Sequence, residues 1–236
     1  MSDRSVADLV DLHDDALPMI RDWIAAAPVD ARLLDCPREA GERALARLQV
    51  TTRSPLGALA YHSGGLLIDD GWLRVWGAGS AELPRAVDTW NRLDSGVLRC
   101  EHGLVVADDA VGGFFAWFSS PRTVHYFSPD SFSWEDTGRG YTDWLSLMLG
   151  DGLALWYEEL RWPGWREEVR ALEPDRGLHV WPPLIMAGPD LVERSRRPVP
   201  VDELWETGMQ LAAELEGVPD GANVRLVLPA GNLDDG

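Results

Sequence analysis

Apolar positions recur at helical spacing along the first 50 residues. Val6, Leu9, Val10 and Leu17, with His13 among them, form one stripe, and Ile20, Trp23, Ile24 and Ala27 form another. Pro18 separates the two stripes and Pro28 closes the second. Pro37 suits the first turn of a third helix that continues through Ala44, Leu45 and Leu48. All three read as packing helices.

The period then drops to two. Gly64 to Trp76 reads as strand, Asp-Gly turn, strand, with Gly71 supplying the positive φ of a tight hairpin. Trp72, Arg74 and Trp76 are expected on one face of the second strand, with Leu73 and Val75 on the other. A short helix is predicted between Pro84 and Leu93. Leu104–Ala107, Phe114–Phe118 and Val124–Phe127 supply three further strands, with turns at Asp108–Gly113 and Ser119–Arg122. Phe114–Phe118 is apolar on both faces, which predicts a central strand. Short turns between consecutive strands predict a mainly antiparallel meander.

From Tyr141 the helical period returns. Thr142 is the predicted N-cap of a helix bearing Trp144, Leu145, Met148 and Leu149, which Gly150-Asp151-Gly152 ends. Leu153, Trp156, Tyr157 and Leu160 mark the next helix, and Trp165, Val169 and Leu172 another after Pro163. Asp202–Glu216 is the last, with Leu204, Gly208, Leu211 and Leu215 inward and Gly217 as its stop. Val224–Leu228 reads as one more strand, and Asp234-Asp235-Gly236 is expected to fray. Helices, meander, helices define a single α+β domain over residues 1–236.

Composition narrows the chemistry. All 21 basic residues are arginine, so reactions that need an ε-amine are excluded, among them Walker-type NTPases and pyridoxal-phosphate enzymes. A net charge of −18 argues against nucleic acid and anionic membranes and favours a basic protein partner. Cys36 and Cys100 lie far apart and form no C-x-x-C, so neither a zinc site nor a disulfide framework is signalled. The acidic N-terminus is unlike a signal peptide, and the longest apolar run, Val111–Phe118, is too short to span a bilayer. The expectation is a cytoplasmic protein with no cofactor.

No histidine pair has ligand spacing, and no G-x-S-x-G is present. Gly77-Ala78-Gly79 begins a dinucleotide fingerprint, but Glu82 stands where the third glycine belongs. Acid pairs are the remaining candidates. Glu158-Glu159 and Glu167-Glu168 fall on solvated helix faces, whereas Asp69-Asp70, Asp108-Asp109 and Glu135-Asp136 fall in or near turns. Residues 101–150 hold seven acids and two arginines, and rigid acidic turns beside tryptophan suit a basic partner. The expected binding residues are therefore Trp72, Arg74, Trp76, Asp108, Asp109, Trp134, Glu135 and Asp136. Two alternatives stand beside this reading. One is a metal-dependent hydrolase using Asp108, Asp109, Glu135 and Asp136; the other is a self-assembling protein that buries Trp72 and Trp76 between copies.

The run Val106-Ala107-Asp108-Asp109-Ala110-Val111-Gly112-Gly113-Phe114-Phe115 resembles the strand, acidic-glycine turn and strand of the SUKH superfamily. Val124–Asp130 is similar to its next strand, and Tyr141–Leu149 to its following helix, with Gly113 replacing the usual acidic residue and Trp144 the common phenylalanine. The resemblance implies a core over about residues 48–160, with N-terminal helices at 1–47 and a helical extension at 161–236. It also implies a non-catalytic protein-binding domain, often an immunity protein that neutralises a toxin domain encoded beside it. Leu48–Gly57 and Trp162-Pro163-Gly164-Trp165 further resemble a bacterial family without an assigned function.

Overall fold

Seven strands follow one another across one antiparallel sheet in sequence order. They are β1 (Ala31–Leu34), β2 (Gly65–Ile68), β3 (Leu73–Trp76), β4 (Gly103–Asp109), β5 (Phe114–Phe118), β6 (Val124–Phe127) and β7 (Trp134–Arg139). The structure is a computed structural model that describes residues 3–101 and 103–218. The expected strand at Val224–Leu228 and the terminal Asp234-Asp235-Gly236 lie outside the described residues.

The meander agrees with the hydrophobic pattern, and β5 is interior because both of its faces must be covered. Phe115 enters one core with Leu66, Leu73, Val75, Tyr126, Trp144, Met148 and Tyr157. Phe114 enters the other with Trp76, Val105, Phe127, Trp90 and Trp205. Each fully buried large side chain of this kind contributes roughly 1.5–3 kcal/mol. Trp76 and Trp90 add an edge-to-face pair at 4.6 Å.

Two strands of this sheet escape the pattern, and both are its edges. β1 reads Ala-Arg-Leu-Leu, and β7 reads Trp-Glu-Asp-Thr-Gly-Arg with its acids exposed. An edge strand needs only one ladder and buries little, so its alternation is faint. The β2–β3 hairpin turns through Asp69, Asp70 and Gly71, all left-handed, at φ 52°, 60° and 82°.

The helices are α1 (Val6–Leu9), α2 (Leu17–Ala26), α3 (Arg38–Leu48), α4 (Pro55–His62), α5 (Val87–Trp90), α6 (Tyr141–Met148), α7 (Gly152–Trp156), α8 (Trp165–Arg170) and α9 (Val201–Leu215). The first expected stripe breaks after Leu9, because the Asp11 carboxylate accepts from the His13 and Asp14 amides and forms a turn instead. The hydrophobic pattern does not announce α4, although Ser54 accepts from the Gly57 amide and Pro55 occupies its first turn. Gly140, not Thr142, is the N-cap of α6.

The segment from residue 161 is not only helical. β8 (Arg176–Trp181) and β9 (Ser195–Pro200) form a separate antiparallel hairpin. The Leu178 amide docks it by donating to the Ala110 carbonyl at 2.7 Å. No helix among the described residues is long and apolar enough to cross a membrane.

Candidate functional site

Asp108 and Asp109 are the last two residues of β4, not a surface turn, and each is 1% exposed. Strand alternation sends their carboxylates to opposite faces of the sheet. Asp108 is held between two guanidiniums, Arg74 Nη2 at 2.5 Å and Arg85 Nε at 3.0 Å. The Trp76 indole N–H donates to the same carboxylate at 2.6 Å. Both arginines also reach past it: Arg74 Nη1 donates to the Arg176 carbonyl at 2.6 Å, and Arg85 Nη1 to the Pro174 carbonyl at 3.0 Å. The network therefore ties β3, β4 and the residues leading into β8 together.

Asp109 closes the β4–β5 turn from inside. Its Oδ1 accepts from the Val111 and Gly113 amides at 3.0 and 2.8 Å, and its Oδ2 from the Tyr126 hydroxyl at 2.7 Å. Burial pushes the Asp109 carboxyl above its ordinary value, against the lowering effect of these hydrogen bonds. Burial first, and then the Asp109 charge, pushes the Tyr126 and Tyr157 hydroxyls well above the usual phenol range. A Cβ at Gly113 would lie 2.2 Å from Asp109 Oδ2 and 2.3 Å from the Tyr126 hydroxyl. An acidic residue at this position, as in the SUKH pattern, has no room here.

The aromatic surface expected around Arg74 does not exist. Trp72 and Trp76 are fully buried, and Arg74 is only 5% exposed. Arg74 and Trp76 do share a face. Trp72 belongs to the turn before β3 and packs into the opposite core, 4.9 Å from Trp165. With both tryptophans inside the fold, self-assembly through them is overturned. Asp69 and Asp70, in the same turn, receive the arginines of the C-terminal half. Asp69 meets Arg161 at 2.8 Å and Arg166 at 2.7 Å, and Asp70 takes Arg170 through two hydrogen bonds of 3.0 Å. A further buried carboxylate, Asp88, pairs with Arg43 and Arg47 at 2.9 Å each.

Glu135 and Asp136 are exposed, but on edge strand β7 and not beside Asp108. The register runs from Asp108 through Phe114 and Phe127 to Trp134, three strand spacings or about 14 Å across the sheet. The four acids of the hydrolase reading are therefore not brought together. Among the described residues, no group of three or more His, Cys, Asp or Glu side chains could hold a metal ion. Trp134 is half-buried against Trp205 of α9 at 6.3 Å and Phe127 at 5.2 Å. The Asp136 carboxyl sits below its ordinary range, chiefly because it accepts from the Gly138 amide.

Sequence reasoning missed Arg85, Arg161, Arg166 and Arg170, whose partners stand 23 to 100 positions away. One signal pointed to them. A chain with 21 basic residues and no lysine has chosen the cation best suited to buried, multidentate pairing.

Residues 6–204 match the family described as protein of unknown function DUF2625. The chain belongs to the DUF2625 family. It is 37% identical over 215 residues to the uncharacterized protein YbfG of Escherichia coli (strain K12), covering 88% of this chain and 97% of that one. An uncharacterized protein of Haemophilus influenzae (strain ATCC 51907 / DSM 11121 / KW20 / Rd) is 32% identical over 169 residues, covering 69% of this chain and 74% of its own. No solved structure matches. The DUF2625 match takes in the Asp108 and Asp69 networks and all of β7, and it ends in the first turn of α9.

Proposed function

We propose that this DUF2625 protein is a non-catalytic protein-binding domain of the cytoplasm that presents an acidic face to a basic partner. The observation that carries the reading is the division of labour among its acids. Asp69, Asp88, Asp108 and Asp109 are consumed inside the fold, each by arginine or by a hydrogen-bond set of its own. Glu135 and Asp136 instead stand exposed on β7, whose outer edge pairs with no other strand among the described residues. An unpaired edge can accept an added strand, and its exposed carboxylates would steer and select a basic one. Trp134, wedged against Trp205, holds that edge rigid beside α9 and limits the entropy lost on docking.

The net charge of −18 gives the long-range attraction. The SUKH resemblance around Asp108–Phe115 makes a toxin domain the first candidate for the partner, with an immunity or regulatory role following from it. The test is affinity capture with the wild-type chain and with a bait carrying Glu135→Arg and Asp136→Asn, the asparagine keeping an acceptor for the Gly138 amide. A basic protein retained by the first bait and lost by the second supports the reading. Identical captures with both baits count against it.

A further inference from the structure

The register of β7 dictates what can pair with its outer edge. The Ser128 amide donates to the Ser133 carbonyl at 3.2 Å, so these residues form a hydrogen-bonded pair in line with the β6–β7 ladder. Such pairs alternate along antiparallel strands. Tyr126–Glu135 is the next one, whereas Phe127–Trp134 and His125–Asp136 are pairs of the other kind. Trp134 and Asp136 therefore direct their N–H and C=O groups away from β6, to the side where no strand lies among the described residues.

The regular edge is short. Val124 pairs with Arg139 but His125 with Asp136, so Thr137 and Gly138 form a bulge, with Gly138 at φ 66°. A bulge ends regular pairing. Trp134, Glu135 and Asp136 remain, with the exposed Arg139 beyond the bulge.

Alternation sends these side chains to different faces. Trp134 and Asp136 stand on the face of Phe114 and Phe127, and Glu135 on that of Phe115 and Tyr126. Trp134 is half-buried, 5.4 Å from Phe118, and half-buried Phe132 joins the same cluster, so this corner is apolar. Glu135 accepts from the Ser131 hydroxyl at 3.1 Å. Asp136 accepts from the Gly138 amide at 2.9 Å and lies 3.7 Å from the His125 ring. Among the described residues neither carboxylate pairs with an arginine, unlike Asp69, Asp70, Asp88 and Asp108. A second copy is a poor occupant, because pairing edge to edge would set the carboxylates of one chain beside those of the other.

We propose that the β7 edge takes an antiparallel extended segment reading basic, basic, apolar, with its cations opposite Asp136 and Glu135 and a β-branched residue opposite Trp134. The proposal rests on the reading of β7 as the partner face and adds the pattern that is recognised. Adjacent cations on a strand point to opposite faces, as the two acids require; cations one residue apart share a face and reach only one acid. A third cation before the pair would run toward Arg139.

The test uses the ¹⁵N-labelled full chain and blocked synthetic peptides with the core Arg-Arg-Val or its isomer Arg-Val-Arg, flanked by threonines. In the free chain the Glu135 amide should resist hydrogen exchange while the Trp134 and Asp136 amides exchange freely. Arg-Arg-Val should bind at a Kd of about 1 mM or below, protect those two amides, and exceed its isomer at least about tenfold. N-methylation of the valine removes a ladder donor, whereas the N–H of the second arginine points away from β7. The first methylation should therefore weaken binding at least about tenfold more than the second. Trp134 and Asp136 amides already protected in the free chain would mean that the edge is occupied and would overturn the proposal. Isomers of equal affinity, or equal losses from the two methylations, would overturn the pattern. If the Glu135→Arg, Asp136→Asn chain still loses both peptides in that case, the acidic partner face survives without it. Absence of binding by either peptide overturns the added strand and leaves the acidic face to be judged by affinity capture.

Discussion

The indole N–H of Trp76 donates to the Asp108 carboxylate at 2.6 Å, joining the last residue of β3 to β4 inside one of the two cores. Trp76→Phe keeps an aromatic ring but removes that donor, and should cost about 1–3 kcal/mol. Asp108→Asn leaves Arg74 and Arg85 without their shared counter-charge and should cost about 3–5 kcal/mol. Urea unfolding followed by tryptophan fluorescence measures both. Equal, near-zero costs would mean that Asp108 is not the keystone of the network.

Asp109 should give stability a pH dependence of a particular sign. Its folded pKa is raised above the unfolded value of 3.8, chiefly by burial. Its contribution is therefore fully present below that unfolded value and is lost as pH rises through the folded pKa. In the Asp109→Asn chain the amide carbonyl would accept from the Val111 and Gly113 amides without a charge to desolvate. The stability of that variant relative to wild type should rise steadily as pH climbs from 4 toward the raised folded pKa. Taking this difference cancels the other carboxylates. A difference that stays flat, measured by urea midpoints across that range, contradicts the burial argument.

Gly113 should tolerate no side chain. The Gly113→Ala methyl would meet Asp109 Oδ2 at 2.2 Å and the Tyr126 hydroxyl at 2.3 Å, so the Tyr126–Asp109 hydrogen bond must open or the turn must shift. A loss of about 1–3 kcal/mol is expected. Combining it with Tyr126→Phe should be markedly less than additive, because both changes act on the same hydrogen bond.

The meander and its central strand were legible because both depend on local alternation and turn residues. Phe114–Phe118 could only be interior, and Asp69-Asp70-Gly71 could only be a turn. β1, β7 and the β8–β9 hairpin were not legible, since edge strands and satellite hairpins bury too little to pattern the chain. The candidate site was read less well for a different reason. Asp108-Asp109 looks like an exposed acidic turn when only its neighbours are considered. Its burial depends on Arg85, 23 positions back, and on Tyr126, 17 positions ahead. Pairing over such distances leaves no trace in periodicity. Glu135 and Asp136 are exposed as their polarity suggests, though on a strand and not in a turn.

Calorimetry with Mg²⁺, Mn²⁺ and Zn²⁺ should register no saturable binding that depends on Asp108, because that carboxylate is already committed to Arg74, Arg85 and Trp76. Saturable heat that disappears in Asp108→Ala, with the fold intact, would reopen the hydrolase reading.

The claim that β7 is the partner face is tested most directly by the association rate of the purified basic partner at low and high salt. The Glu135→Arg, Asp136→Asn chain should keep wild-type stability to within about 0.5 kcal/mol, since both positions are exposed. It should associate about tenfold more slowly than wild type at low salt, with the gap closing as salt screens the charges. An unchanged association rate at low salt, in a chain of unchanged stability, would contradict the account and move the partner face to another surface.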